Sequence, residues 1–156
     1  NTMPPVVDLS TGENILLGEV EISGDFLDGA ELRLNHITFK IVVRDGVSVS
    51  DFMLGAAHSV GHVQCSLGDS VSINCLNIPA SVGMIENGSV LLQLRGDMVV
   101  SDSSADPKLR IDIDNPGSIS TTINPGRIGA IRWGDGTGTY NWTELSNPIV
   151  QGSEWK

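Results

Sequence analysis

The chain has few basic residues, and they are scattered along the sequence. Nine lysines and arginines stand against 19 acidic residues, which gives the 156-residue chain a formal net charge of -10 at pH 7. Because this charge repels phosphate groups and anionic lipid surfaces, the composition disfavours binding to nucleic acid. The sequence also lacks any apolar run near the roughly 20 residues that a membrane-spanning helix requires. We therefore expect no membrane insertion.

Cysteine is scarce too, with one residue at position 65 and one at position 75. Cys65 and Cys75 do not form a CxxC pair, so they do not indicate a zinc site. They flank a Gly-Asp turn signal in QCSLGDSVSINC. A disulfide closing this loop would stabilise the fold by about 2–3 kcal/mol and would indicate an oxidising compartment. The alternative is a pair of buried free thiols.

The sequence contains no amphipathic helical segment of useful length. Turn signals recur between short segments rich in β-branched residues, which predicts an all-β, antiparallel β-sandwich of about eight to ten short strands. A jelly roll is favoured, because several connections are long enough to cross between two sheets. One turn of helix is predicted within DFMLGAAHSVGH, residues 51–62.

The predicted domain organisation is a short arm followed by one folded unit. Residues 1–12 contain the Pro4-Pro5 pair and turn-forming residues, which predict an extended, exchangeable N-terminal arm. Residues 13–156 are predicted to form a single β-sandwich domain. The chain begins with Asn1 rather than Met, which we interpret as the result of upstream processing. Together with the cysteine pair, this favours an extracellular, cell-surface or virion location.

Two local features predict specific backbone geometry. Asp45-Gly46 stands between two β-branched segments and is the usual signal of a two-residue β-hairpin turn. The alternation of apolar residues changes phase between Asn35 and His36. A β-bulge or a short turn at that point would explain the change.

The most distinctive segment is residues 127–155, which holds all three tryptophans and the only tyrosine. Its glycines, in RWGDGTGTYNW, predict a tight loop between two strands. Aromatic rings beside polar groups commonly bind sugars, which makes Trp133, Asp135, Tyr140 and Trp142 candidate binding residues. The alternatives are that Trp133 and Trp142 pair across the hairpin and close the core, or that the aromatic residues form a subunit interface.

Arg95-Gly96-Asp97 is the integrin-type tripeptide. It serves in adhesion when a turn presents its two charged residues at opposite ends of an exposed loop. Its neighbours, LLQL and MVV, are typical of strands. The tripeptide is therefore either a turn between two strands or a glycine-weakened point within one long strand.

The acidic residues and histidines give no assignable metal site. Asp102, Asp106, Asp112 and Asp114 could supply oxygen ligands to calcium, but no EF-hand loop surrounds them. The alternation in KLRIDID places Asp112 and Asp114 on a solvated strand face instead. His36, His58 and His62 follow no metal-binding pattern either. We expect no cofactor, with calcium as a weak alternative.

No motif supplies a nucleophile, a base or a metal centre. The sequence therefore predicts a non-catalytic structural or surface subunit that acts through protein partners or self-assembly, such as an outer capsid, decoration, spike or pilus-like module. The alternative is a carbohydrate-binding or adhesin module that uses the aromatic, glycine-rich loop to bind a glycan. A β-sandwich hydrolase is the third interpretation.

Overall fold

The structure is a computed structural model. It describes residues 9–23, 31–85, 88–113, 131–136, 138–141 and 153–155. These residues form eleven strands and one short helix. The strands are β1 (Gly12–Ser23), β2 (Arg33–Arg44), β3 (Val47–Ala56), β4 (His62–Gln64), β5 (Ser66–Asp69), β6 (Ser72–Leu76), β7 (Ser89–Val100), β8 (Lys108–Ile113), β9 (Ile131–Gly134), β10 (Thr139–Asn141) and β11 (Ser153–Trp155), and the helix is α1 (Ala80–Gly83).

The strands form two sheets, which confirms the all-β, antiparallel β-sandwich class. The first sheet has the order β1-β7-β3-β4, and the second has the order β10-β9-β2-β6-β5, with β8 paired to β2 and to β11. Every strand pair between described residues is antiparallel. The jelly-roll topology stays a prediction.

One hydrophobic core fills the space between the two sheets. It draws on both sheets in the alternating pattern expected of strands that are buried on one face. Its fully buried side chains include Leu17, Leu34, Ile37, Leu54, Ile73, Leu92, Leu94 and Leu109. Among the described residues, no helix is long and apolar enough to cross a membrane.

Strand β2 is the centre of the second sheet, and it contains the predicted bulge. It pairs with β6 along one edge, and with β9 and then β8 along the other. Its register against β9 shifts between Leu34 and His36. The phase change in the sequence is therefore a β-bulge at Asn35, as predicted.

The predicted hairpin at Asp45-Gly46 is wrong. Both residues have positive φ, 52° and 74°, so the tight turn itself is present. However, the turn carries the chain from β2 in the second sheet to β3 in the first. The turn packs on the loop that follows β7, because the Ser101 amide donates to the Gly46 carbonyl at 3.0 Å. Turn chemistry fixes the local reversal of the chain but does not specify which strands pair.

The predicted turn of helix within residues 51–62 is also wrong. Most of the segment belongs to strands β3 and β4, and the short helix lies instead at Ala80–Gly83. The register of β3 against β7 shifts between Ser50 and Met53, where Asp51 has a φ of 51°. This bulge moves the buried positions from odd to even numbers, so that Phe52 and Leu54 are buried. Because the bulge interrupts the alternation of apolar residues, the sequence does not indicate that this segment is one continuous strand.

The N-terminal arm is described only from Leu9 onward, and residues 1–8 lie outside the described part of the chain. Leu9 packs against the core. The Thr11 hydroxyl accepts a hydrogen bond from the Val100 amide at 3.0 Å. These contacts bring the last residues of the predicted arm into the sandwich.

Candidate functional site

A disulfide stands where the chain leaves the first sheet for the second. Cys65 lies between β4 and β5, and its sulfur is bonded to Cys75 in β6. Its amide donates to the carbonyl of Phe52 in β3 at 2.8 Å. Both cysteines are buried. Cys65 therefore ties the edges of both sheets together on one side of the sandwich.

The hairpin that follows joins β5 to β6 through a turn that Asp69 closes. The Asp69 carboxylate accepts a hydrogen bond from the Val71 amide at 3.1 Å. A hydrogen bond with the Ser72 side chain, together with the Val71 amide, lowers the pKa of Asp69 below its ordinary value. The carboxylate is fully exposed to solvent. These local bonds define the turn and favour the ionised form of Asp69.

The disulfide and the β5–β6 hairpin belong to a side of the sandwich that carries almost no charge. We call residues 58–76, which include β4, Cys65, β5 and β6, the low-charge side. Throughout the longer segment 52–85, Asp69 is the only residue with a formal charge at neutral pH. Charged residues are depleted at the centres of protein–protein interfaces. The low-charge side has that composition on a protein whose net charge is -10.

Large apolar side chains are exposed on the low-charge side. Leu67 is 49% exposed, Val71 is 40% exposed and Leu76 is 42% exposed, and Val60 is fully exposed. These are four of the six exposed large hydrophobic residues in the described part of the chain. Leu67 is paired with buried Ile73, so it extends the core-facing side of the second sheet beyond the cover of the first. A partner that covered this surface would remove the apolar groups from water.

Both sheets end on this side, because β4 is the last strand of the first sheet and β5 is the last of the second. No strand within the described ranges pairs with their outer edges. Shortness and bulges limit the pairing of such edges with other chains. β5 has only four residues, and its register shifts between Leu67 and Asp69. A contact here must depend on side chains more than on an extended backbone ladder.

The rest of the described surface is charged, and its charges are separated between the sheets. The first sheet carries five acidic residues and one basic residue, Arg95. Six of the seven basic residues that the structure describes lie on β2, β8 and β9 in the second sheet: Arg33, Lys40, Arg44, Lys108, Arg110 and Arg132. Basic residues that are scattered in the sequence therefore lie mostly on one sheet of the fold.

The aromatic loop is a hairpin between β9 and β10. Trp133 is in register with Tyr140 and, on its other side, with fully buried Leu34. Asp135 accepts a hydrogen bond from the Gly138 amide at 3.0 Å. Trp142 lies outside the described residues. The predicted pairing of Trp133 with Trp142 therefore stays a prediction.

These contacts favour a structural role for the described part of this hairpin. Residues paired across an antiparallel ladder place their side chains on the same face, so Trp133 lies on the core-facing side with Leu34. Asp135 is engaged in closing its own loop. The hypothesis of a sugar site formed by Trp133, Asp135, Tyr140 and Trp142 gains no support from them.

Arg95-Gly96-Asp97 lies in the middle of β7, between β1 and β3. The Asp97 carboxylate accepts from the Asn14 amide at 2.8 Å, and Arg95 donates to the Asn14 carbonyl at 3.1 Å. Asn14 has a φ of 52° and occupies a register shift of β1. Adhesion needs this tripeptide in an exposed loop, whereas here its charged side chains hold a bulge in the neighbouring strand.

Two of the carboxylates considered for calcium are engaged by basic side chains. Asp112 binds the Arg110 guanidinium at 2.7 Å, and Asp106 binds the Lys108 ammonium at 2.8 Å. Asp114 lies outside the described residues. Within the described ranges, no group of three or more His, Cys, Asp or Glu residues could hold a metal ion.

Sequence reasoning assigned no role to a polar network on the second sheet. His36 is 5% exposed, and its Nε2 donates to Thr38 Oγ1 at 2.9 Å, while the Thr38 hydroxyl donates to Asn74 Oδ1 at 3.0 Å. Burial, with a smaller effect of positively charged Arg132, lowers the pKa of His36 to about 4. The imidazole is therefore neutral at pH 7 and serves as a hydrogen-bond donor.

The low-charge side was missed as well, although its signal is present in the sequence. One charged residue between positions 52 and 85 contrasts with 28 in the whole chain.

No protein-family model matches the chain, and comparisons with curated proteins and with solved structures also found no match. The surface chemistry described above is therefore the basis for assigning a function.

Proposed function

We propose that this protein is a non-catalytic structural subunit that acts through protein–protein contacts, and that the low-charge side is its contact surface. The observation that carries the proposal is the coincidence of sparse charge with exposed Leu67, Val71 and Leu76 beside the two terminal strands. Large apolar side chains that stay exposed in a region of sparse charge are typical of interaction sites. Leu67 alone would gain about 1 kcal/mol by losing its remaining contact with water.

The kind of assembly that we propose is an outer capsid, decoration, spike or pilus-like module, located outside the cell or on a virion. A jelly-roll arrangement of the strands belongs to this proposal. The Cys65–Cys75 disulfide supports an oxidising location. The acidic composition supports an outward position rather than contact with a genome, since phosphate would be repelled.

A photo-cross-linking amino acid at position 67 tests the contact surface in the cells that produce the protein. The matched control is the same amino acid at Val99, which is 55% exposed but lies on β7 in the acidic first sheet. We expect a cross-linked polypeptide from position 67 and none from position 99. Equal yields from the two positions, or no product from position 67, would contradict the proposal.

A further inference from the structure

We propose that His36 is an acid-sensitive switch, whose protonation releases the hairpin formed by β9 and β10 from the edge of β2 while the rest of the sandwich stays folded. The proposal stands on the position of His36, on the charges that face it and on the unequal strength of the two strand pairings beside it. This switch is independent of the low-charge side.

His36 is buried although it lies on the face of β2 that is turned away from the core. Ile37 and Phe39 belong to the core, so the alternate positions 36, 38 and 40 point to the opposite face. The hydrogen bond between the side chains of His36 and Thr38 shows that these two share that face. Lys40 is exposed there, whereas His36 is 5% exposed. A neutral imidazole suits this position, because a charged one would be withdrawn from water.

The charged groups around His36 are mostly cationic. Arg132 of β9 is its cross-strand partner, and on β2 itself Arg33 and Lys40 lie on either side of it. The described segment from the start of β6 to the end of α1, which also contacts this part of β2, contains no formally charged residue. On the described strands that pair with β2, the only acidic residue is Asp112, which lies opposite Lys40 and is bound to an arginine of its own strand. Protonated His36 is therefore repelled by Arg132 across the strands.

The two strands that flank His36 differ in how firmly they are held. On one edge of β2, β6 pairs through five consecutive residues, and Cys75, the register partner of Ile37, is bonded to Cys65. On the other edge, β9 has four residues, and its register shifts between Leu34 and His36. Among the described strands, its only other neighbour is the three-residue β10. Repulsion across β2 is therefore relieved by movement of β9 and not of β6.

Opening of the hairpin allows His36 to take up a proton that the closed sheet resists. In the closed sheet, burial and the smaller effect of Arg132 lower the pKa of His36 from 6.5 to about 4. Release of β9 exposes the imidazole to water and removes Arg132, which restores an ordinary pKa. The closed form is thus favoured above pH 6.5 and loses this advantage as the pH falls toward 4. Linkage makes the equilibrium constant of opening about 20-fold larger at pH 5 than at pH 7. The open form stays a minority, because opening also uncovers buried Ile131.

Amide hydrogen exchange, measured by NMR on the full, oxidised chain and corrected for intrinsic exchange rates, tests the switch. We expect the opening constant of the Ile131–Gly134 amides to rise about 20-fold from pH 7 to pH 5. This opening should depend much less on urea, up to about 1 M, than the exchange of the Ser89–Val100 amides, which serve as the reference for global unfolding. No rise in β9 would overturn the inference, as would a urea dependence equal to that of β7.

Two matched variants assign the effect to one histidine. His36→Gln keeps an N–H donor for Thr38 but does not titrate, so the change in β9 between pH 7 and pH 5 should fall below about twofold. His62→Gln removes an exposed histidine from β4 and should retain the rise of about 20-fold. A full rise in His36→Gln, or its loss in His62→Gln, would contradict the assignment. Should His36→Gln not fold, an NMR titration of the imidazole in the unmodified chain replaces it, and a midpoint near 6.5 would disprove the switch.

Discussion

Acidification should destabilise this protein through His36. The imidazole is buried beside Arg132, and its pKa falls from 6.5 to about 4 in the folded chain. As the pH falls below 6.5, the unfolded chain therefore binds a proton that the folded chain does not. The free energy of unfolding decreases through this window and stops depending on His36 below about pH 4.

The size of this effect follows from the two pKa values. At about 1.4 kcal/mol for each pH unit, the shift from 6.5 to about 4 corresponds to a loss of about 3 kcal/mol. Asp69 does not interfere. Its pKa is lowered from 3.8, so its contribution to stability is present above that value and is lost only at lower pH.

Urea unfolding, monitored by tryptophan fluorescence between pH 7 and pH 4, measures the effect. The control is His36→Gln, whose side-chain amide retains an N–H donor for Thr38 but does not titrate. We expect the original protein to lose about 3 kcal/mol more than this variant over the range. Parallel curves would refute the reasoning, as would an NMR titration that gives His36 an ordinary pKa.

Three further predictions concern the core and its supports. Gly96→Ala should lower the free energy of unfolding, measured in urea, by about 1–3 kcal/mol. The added Cβ atom would lie 2.9 Å from the Ser50 carbonyl oxygen and 3.0 Å from Leu17 Cδ1. Unchanged stability would contradict the packing of β7 against β3. Replacing both Cys65 and Cys75 with alanine should lower the free energy of unfolding by about 2–3 kcal/mol through loop closure, and a loss below about 0.5 kcal/mol would show that the disulfide adds little. Trp133→Ala should destabilise the chain by about 2 kcal/mol if the residue covers Leu34, whereas full stability combined with lost sugar binding in a glycan titration would restore the recognition hypothesis.

The fold class could be predicted because its signals are local and repeated. Alternating β-branched residues and frequent turn signals indicate short antiparallel strands wherever they occur. The bulge at Asn35 was also predictable, since one extra residue shifts every later side chain to the opposite face. In β3 the bulge at Asp51 also breaks the alternation of apolar residues. The small residues that follow it and a possible helix cap at Ser50 or Asp51 led to the wrong prediction of a helical turn there.

The pairing of strands could not be predicted from local chemistry. Asp45-Gly46 has the dihedral angles of a tight turn, yet it joins strands in different sheets. Which strands meet depends on contacts between distant residues, such as β1 with β7 and β2 with β8. For the same reason, Arg95-Gly96-Asp97 reads as a motif in the sequence but serves to hold a bulge at Asn14 in the fold.

The low-charge side was predictable in its composition but not in its position. Its sparse charge is visible in the sequence, but its position at the ends of both sheets depends on the crossing at Cys65. The aromatic segment, in contrast, attracts attention by composition alone. Its described residues turn out to continue the second sheet, with Trp133 beside Leu34.

Amide hydrogen exchange of the chain in the complex isolated from the cells that produce it, compared with the purified chain in dilute solution, tests most directly whether the low-charge side is buried against a partner. In the complex, the amides of Ser66–Asp69 and of the turn at Val71 should exchange more slowly than in the purified chain. The amides near Val99 should exchange at the same rate in both. Slower exchange near Val99 with no change in Ser66–Asp69 would contradict the assignment of the contact surface.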